Sequence, residues 1–262
     1  MAGPSVYKAM QPNRIILLTA CVNPDGMPFT AVIDSSIRVR EYENALGYYL
    51  KETDCPIVIV DNSGYSFGSF AATCPDRIEA LHFDGNGFDK ELGKGYGEGL
   101  IIEYALNHSR FINSQQPVII YKITGRHLVC NVSSLFHSTS FGESLSHKAV
   151  FAVLKENEKE AVSDVFSGPV SFFQDLTHYL QECNDSRGCY FEHKLFECII
   201  RCIEEKRIRF FHFPLPIIQH GVSGSTGKPL KQIGSRSKYT LKYLLYLLKI
   251  NKLIDRYNAR FR

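Results

Sequence analysis

Two cations stand four residues apart in Lys122-Ile-Thr-Gly-Arg126, with Thr124 and Gly125 between them, at the end of an apolar run that begins at Pro117. No acid occurs between Glu103 and Glu143. Fixed cations in such a place can neutralise the charge that develops on a departing diphosphate, work that a metal held by an acid pair does elsewhere. The competing reading is a strand-end pair satisfied by carboxylates from other parts of the chain. A second cation-bearing stretch is Gly93-Lys-Gly-Tyr-Gly-Glu-Gly99, whose alternating glycines precede a helical pattern. Around Lys94 and Gly95 the backbone can approach a phosphate closely, and a helix start favours anions. The stretch is not the dinucleotide signature Gly-x-Gly-x-x-Gly, which fails at Glu98. A plain flexible loop is the alternative. Gly224-Ser-Thr-Gly-Lys-Pro looks like a P-loop but is not one: Val222 stands where its first glycine belongs and Pro229 where its Ser/Thr belongs. We read it as a polar loop closing over a ligand through Ser223, Ser225 and Lys228, or as a surface turn.

Metal chemistry finds little to work with. None of the eight cysteines forms a Cys-x-x-Cys pair, and no Asp-x-Asp follows the strand at 117–123. The expectation is no metal ligand and no required cofactor, with a divalent ion left open. Cys198 and Cys202, four apart on a helical pattern, read as small buried hydrophobes. Scattered cysteines and a first segment without an apolar leader suggest a reducing, cytoplasmic setting. No apolar run reaches the length needed to span a bilayer, about 18 residues.

Those residues need elements to hold them. The run 14–20 and the run 55–60 are continuous and apolar, as strands buried on both faces are. Further strands are expected at 78–83, 117–123 and 149–154, and helices at 36–51, 96–110, 170–182, 192–206 and 238–257. Strand and helix alternate over the first 130 residues, which argues for a largely parallel sheet with a site at the carboxyl ends of its strands. The 262 residues carry a net charge of +3, unevenly placed. Residues 231–262 hold nine Lys/Arg and the single acid Asp255, which leaves the rest net acidic. Their Leu, Ile and Tyr lie on one broad helical face, which suits either an anionic membrane interface or packing on the core. An acidic body without a binding motif argues against nucleic acid.

Phe83-Asp-Gly-Asn, Leu-Gly-Lys-Gly-Tyr-Gly-Glu, Lys-Ile-Thr-Gly-Arg and Gly-Val-Ser-Gly-Ser-Thr-Gly-Lys, in that order, together resemble bacterial glycosyltransferases of O-antigen and capsule synthesis over roughly residues 14–230. The resemblance implies an α/β, GT-A-like (Rossmann-like) domain, mostly parallel in its central sheet, at 1–235, followed by a basic amphipathic helix at 236–262. It implies a nucleotide-sugar donor bound by Thr19, Asp61, Asn62, Lys94, Gly95, Lys122, Thr124 and Arg126. It also implies a glycan or lipid-linked acceptor and a place on the inner face of the cytoplasmic membrane. The missing Asp-x-Asp departs from the common pattern. A transferase that inverts needs a carboxylate to take the acceptor's proton. In such enzymes it begins a helix in the second half, where Glu192 stands, with Asp185 as runner-up. A helix-terminal acid serving the macrodipole is the equal alternative for Glu192. A sugar nucleotidyltransferase and a non-catalytic membrane-recruited binding module are the competing functions.

Overall fold

The computed structural model describes residues 13–114 and 117–230. In chain order its elements are β1 (Asn13–Ala20), α1 (Ser35–Glu52), β2 (Ile57–Asp61), α2 (Gly68–Ala71), β3 (Ile78–His82), α3 (Gly93–His108), β4 (Val118–Thr124), β5 (Leu128–Val129), α4 (Val132–Leu145), β6 (Ala149–Ala152), β7 (Leu154–Lys155), β8 (Glu160–Ala161), β9 (Val165–Pro169), α5 (Val170–Leu180), α6 (Phe191–Glu204), β10 (Arg209–His212) and β11 (Gln219–His220). The expected helix at 238–257 and the domain boundary at 235–236 lie outside the described residues.

Seven strands form one sheet in the order β10-β6-β9-β4-β1-β2-β3. All run the same way except β9, which is antiparallel to both β4 and β6. The expectation of an α/β fold with a mostly parallel central sheet flanked by helices therefore holds. The exception was not expected: Val165-Phe-Ser-Gly-Pro is short and ends in breakers, yet it pairs with β4 over five registers. Pro169, which has no amide to donate, sits at its last residue, where a strand tolerates it.

Burial explains the layers. From Ile15 to Ala20 β1 is buried throughout, because helices cover both faces of the sheet. On one face α3, α5 and α6 pack Ile102, Phe172, Leu176, Leu195 and Ile199 against Leu17, Val58 and Ile120. On the other, α1 and α4 pack Tyr42, Leu46, Tyr49 and Leu135 against Ile16, Ile59 and Tyr121. Helix α1 begins at Asp34, whose carboxylate accepts from Ser36 N (2.8 Å) and Ile37 N (3.3 Å). Its residues 42, 45, 46 and 49 make the buried stripe that a 3.6-residue period gives.

One buried group makes the fold acid-sensitive. Burial lowers the His212 imidazole to about 4, only partly opposed by its hydrogen bond with the Ala152 backbone. The unfolded chain protonates this group below about pH 6.5, while the folded chain resists until about pH 4. Stability from His212 is therefore full above pH 6.5 and falls as pH drops toward 4, by about 3 kcal/mol in all. Urea unfolding across that window is expected to show the slope, and His212→Phe to flatten it.

Candidate functional site

The chain leaves β1, passes through α1 to β2 and then β3, and returns through α3 to β4 on the other side of β1. The direction of travel thus reverses between β1 and β4, and an open α/β sheet leaves a crevice at the carboxyl ends of two such strands. Thr19 and Thr124 are register partners there, and both line a cleft of about 640 Å³. That size is within the range of small-molecule sites.

Most of the expected residues meet in this cleft. Asn62, Lys94, Gly95 and Arg126 line it with the two threonines, as do Asp185, Glu192, Ser223 and Ser225. Asp61, Lys122 and Lys228 do not. Asp61 is wholly buried. Its carboxylate accepts from Val22 N (2.7 Å), Ser63 N (2.7 Å), Tyr65 N (3.0 Å) and the Ser63 hydroxyl. It therefore shapes the turns after β1 and β2 instead of meeting a ligand. Asn62, next to it, does face the cleft and is 3% exposed; its Oδ1 has no hydrogen-bond partner among the described residues. A buried carbonyl without a donor leaves a recognition contact open.

Lys122 corrects the sequence reading most. Its side chain is wholly buried, and Nζ pairs with Glu98 at 2.6 Å and donates to Ser163 O at 2.7 Å. Residues 118, 120 and 122 of β4 face the α3 layer, so this ammonium meets the helix and not the cleft. Arg126 does reach the cleft. Its Nη1 donates to Glu41 at 2.6 Å, and the guanidinium still borders the cleft beside Gly224. Its other donors have no hydrogen-bond partner among the described residues.

The glycine run is also corrected. It is not a loop before a helix but the first turns of α3, and all four glycines are buried. A methyl group on Gly97 would meet the Phe88 ring at 2.8 Å, and one on Gly99 would meet Leu180 Cβ at 2.8 Å. The glycines thus let α3 approach its neighbours, while Lys94 and Glu98, one turn apart, both reach the cleft. The anion site at the start of α3 is taken: Asp185 Oδ2 accepts from Lys94 N at 3.1 Å. Burial raises the Asp185 carboxyl above its ordinary value, partly offset by the Lys94 amide and ammonium. Gly93 has φ +84°, and a methyl there would lie 2.0 Å from Asp185 Cγ. Gly93→Ala is expected to cost about 2 kcal/mol from strain and the displaced cap, read as a lower urea midpoint.

Glu192 stands in the first turn of α6, borders the cleft, and accepts the Ser163 hydroxyl. Two covers lie over the site. The turn after β1 contributes Cys21, Pro24 and Phe29, and the segment 221–230 folds back through Ser223 N to Lys228 O (2.9 Å) and Leu230 N to Gly221 O (2.8 Å). Ala31 N donates to Gly224 O at 3.1 Å, and Lys94 Nζ reaches both Phe29 O and Ser225 Oγ, the latter at 3.1 Å. Burial lowers the Lys94 ammonium from its ordinary value, with Asp185 opposing. Glu98, Glu41, His127, Ser163 and Asp164 were missed in the sequence. Only Glu98 had a signal, standing one turn from Lys94. Among the described residues no group of three or more His, Cys, Asp or Glu is placed to hold a metal ion. No described helix is long and apolar enough to cross a membrane.

No family model matches this chain, and no curated protein matches it. Among solved structures it is similar to 4-diphosphocytidyl-2C-methyl-D-erythritol synthase, at 11% identity and TM-score 0.42, over 90% of this chain and 100% of that one. It is also similar to CMP:2-keto-3-deoxy-manno-octonic acid synthetase complexed with CTP, at 9% identity and TM-score 0.36, over 91% of this chain and 99% of that one. Nothing about this chain's chemistry follows from likeness at that level.

Proposed function

We propose that the cleft binds a nucleotide-activated sugar and that the chain is a transferase passing the sugar to an acceptor hydroxyl. The observation that supports this best is one crevice, at the reversal of strand order, that holds a cation pair (Lys94 and Arg126), an open amide (Asn62) and a helix-start carboxylate (Glu192). In the reaction Glu192 takes the acceptor's proton as the new C–O bond forms. The bond from the sugar to the diphosphate breaks, and the diphosphate leaves with the electron pair. The free donors of Arg126 and the Lys94 ammonium offset its charge, and Asn62 reads the nucleoside. A lipid-linked glycan as acceptor belongs to the same proposal.

A sugar nucleotidyltransferase is the second reading. In its favour, the turn directly after β1 lies over the cleft, where a triphosphate would sit. Against it, residues 21–30 contain no Lys or Arg to hold one. A thermal-shift panel of nucleoside mono-, di- and triphosphates tests both. A nucleoside diphosphate at millimolar concentration is expected to raise Tm by several degrees, and Asn62→Ala to remove the rise. Pyrophosphate release from a triphosphate and a sugar phosphate would favour the second reading. No response to any nucleotide would sink both and leave a binding module.

A further inference from the structure

Three Lys/Arg side chains are buried among the described residues: Arg38, Lys122 and Arg126. Glu98 pairs with Lys122 and Glu41 with Arg126. Arg38, 6% exposed, has no carboxylate partner among the described residues. Its hydrogen bonds go to neutral acceptors: Nε donates to Cys21 O at 2.7 Å, Nη1 to Val32 O at 2.9 Å and Nη2 to the Tyr42 hydroxyl at 3.4 Å. Those bonds use three of the five N–H groups of a guanidinium and leave two. An arginine is rarely this buried without a counter-charge, because desolvation penalises the bare cation.

Its place gives that cation a use. Arg38 borders the cleft, where it holds the turn after β1 against the start of α1. Two other cleft groups feel its charge. Burial pushes the Cys21 thiol up to about 11, and Arg38 is the foremost influence opposing it. Burial lowers the Lys94 ammonium, and Arg38 and Arg126 lower it further against Asp185. The carboxylates that border the cleft are engaged elsewhere: Glu98 by Lys122, Asp185 by the Lys94 amide, Glu192 by the Ser163 hydroxyl, and Asp164 beside His127 at 3.6 Å. Asp61, which also acts on Cys21, is filled by its own donors. Cations that disfavour one another in a low-dielectric cleft are relieved by an anion within reach of all three. We infer that Arg38 is a third phosphate-binding residue, its two remaining N–H groups taking oxygens of the donor's diphosphate beside Lys94 and Arg126. The inference deepens the functional reading and rests on it only for the identity of the anion.

Calorimetric titration with inorganic pyrophosphate, and separately with a nucleoside diphosphate, tests it. Arg38→Gln keeps hydrogen-bonding groups but no charge, and Arg38→Lys keeps the charge. Both shorten the side chain and disturb the turn alike, so the charge is what separates them. Arg38→Gln is expected to weaken both ligands about 10–100-fold, and Arg38→Lys to recover much of the loss. Without ligand, Arg38→Gln is expected to melt within a few degrees of the wild type, since a cation lacking a counter-charge leaves together with its bonds to carbonyls. Unchanged affinities in Arg38→Gln, or equal losses in the two variants, would overturn the inference. So would an Arg38→Gln chain that does not fold, which would make Arg38 a structural pin. Pyrophosphate binding that depends on Arg38, without response to any nucleotide, removes the functional reading alone. A nucleotide response that ignores Arg38 removes only this inference, and a wild type that binds neither ligand removes both.

Discussion

Glu192→Gln is expected to lower sugar transfer by about 10²–10⁴-fold while the thermal response to a nucleoside diphosphate stays as in the wild type. The amide keeps the size of the carboxylate and still accepts from the Ser163 hydroxyl, but it cannot take a proton. Binding and chemistry are thereby separated. Asp185→Asn is the informative companion. Asp185 caps the start of α3 through Lys94 N, so its replacement lowers stability more than turnover. A Glu192→Gln enzyme that keeps full rate, with Asp185→Asn inactive and stable, would exchange the roles of the two acids. A Glu192→Gln enzyme that loses nucleotide binding as well would make Glu192 a binding group.

The second large effect is on stability. Glu98→Ala leaves the Lys122 ammonium, 0% exposed, without its carboxylate. Removing one partner of a buried pair costs about 3–5 kcal/mol, because the remaining charge keeps its desolvation penalty. The outer side of Glu98 is 22% exposed and water can reach the gap, which places the expectation at the lower end, about 3 kcal/mol. The rings of Phe166 and Phe191, 5.7 and 5.4 Å from Nζ, offset little of it. Glu98→Ala/Lys122→Met is expected to recover most of the loss, since an apolar side chain of similar length suits that layer. Urea unfolding of the two variants checks it, and a double variant no more stable than the single one would mean that the cost lies in Thr19, whose hydroxyl donates to Glu98 at 2.7 Å.

What was legible in the sequence follows from this pair. The buried strands β1, β2 and β4 announced themselves as unbroken apolar runs, and α1 by its helical pattern; its Asp34 cap was not read from the sequence. The location of the cleft followed from the alternation of strand and helix. The direction of a side chain did not. Lys122 and Arg126 look alike as letters, but strand alternation turns residue 122 into the α3 layer, and the chain leaves the strand before 126. The partner of Lys122 lies on another element, so nothing adjacent betrays the pairing. The four glycines read as a phosphate loop because glycine signals both freedom and closeness, and here closeness governs. Strand β9 was invisible for a related reason: two neighbouring strands make Val165-Phe-Ser-Gly-Pro a strand, not its own propensity.

One ammonium, that of Lys94, holds the coil that follows β1 and the hairpin that ends the described chain. The two segments are thus tied twice, by that amine and by the backbone hydrogen bond from Ala31 N to Gly224 O. On the proposed function, the diphosphate of the donor competes for that same amine, so its binding is expected to loosen the tie between the two segments.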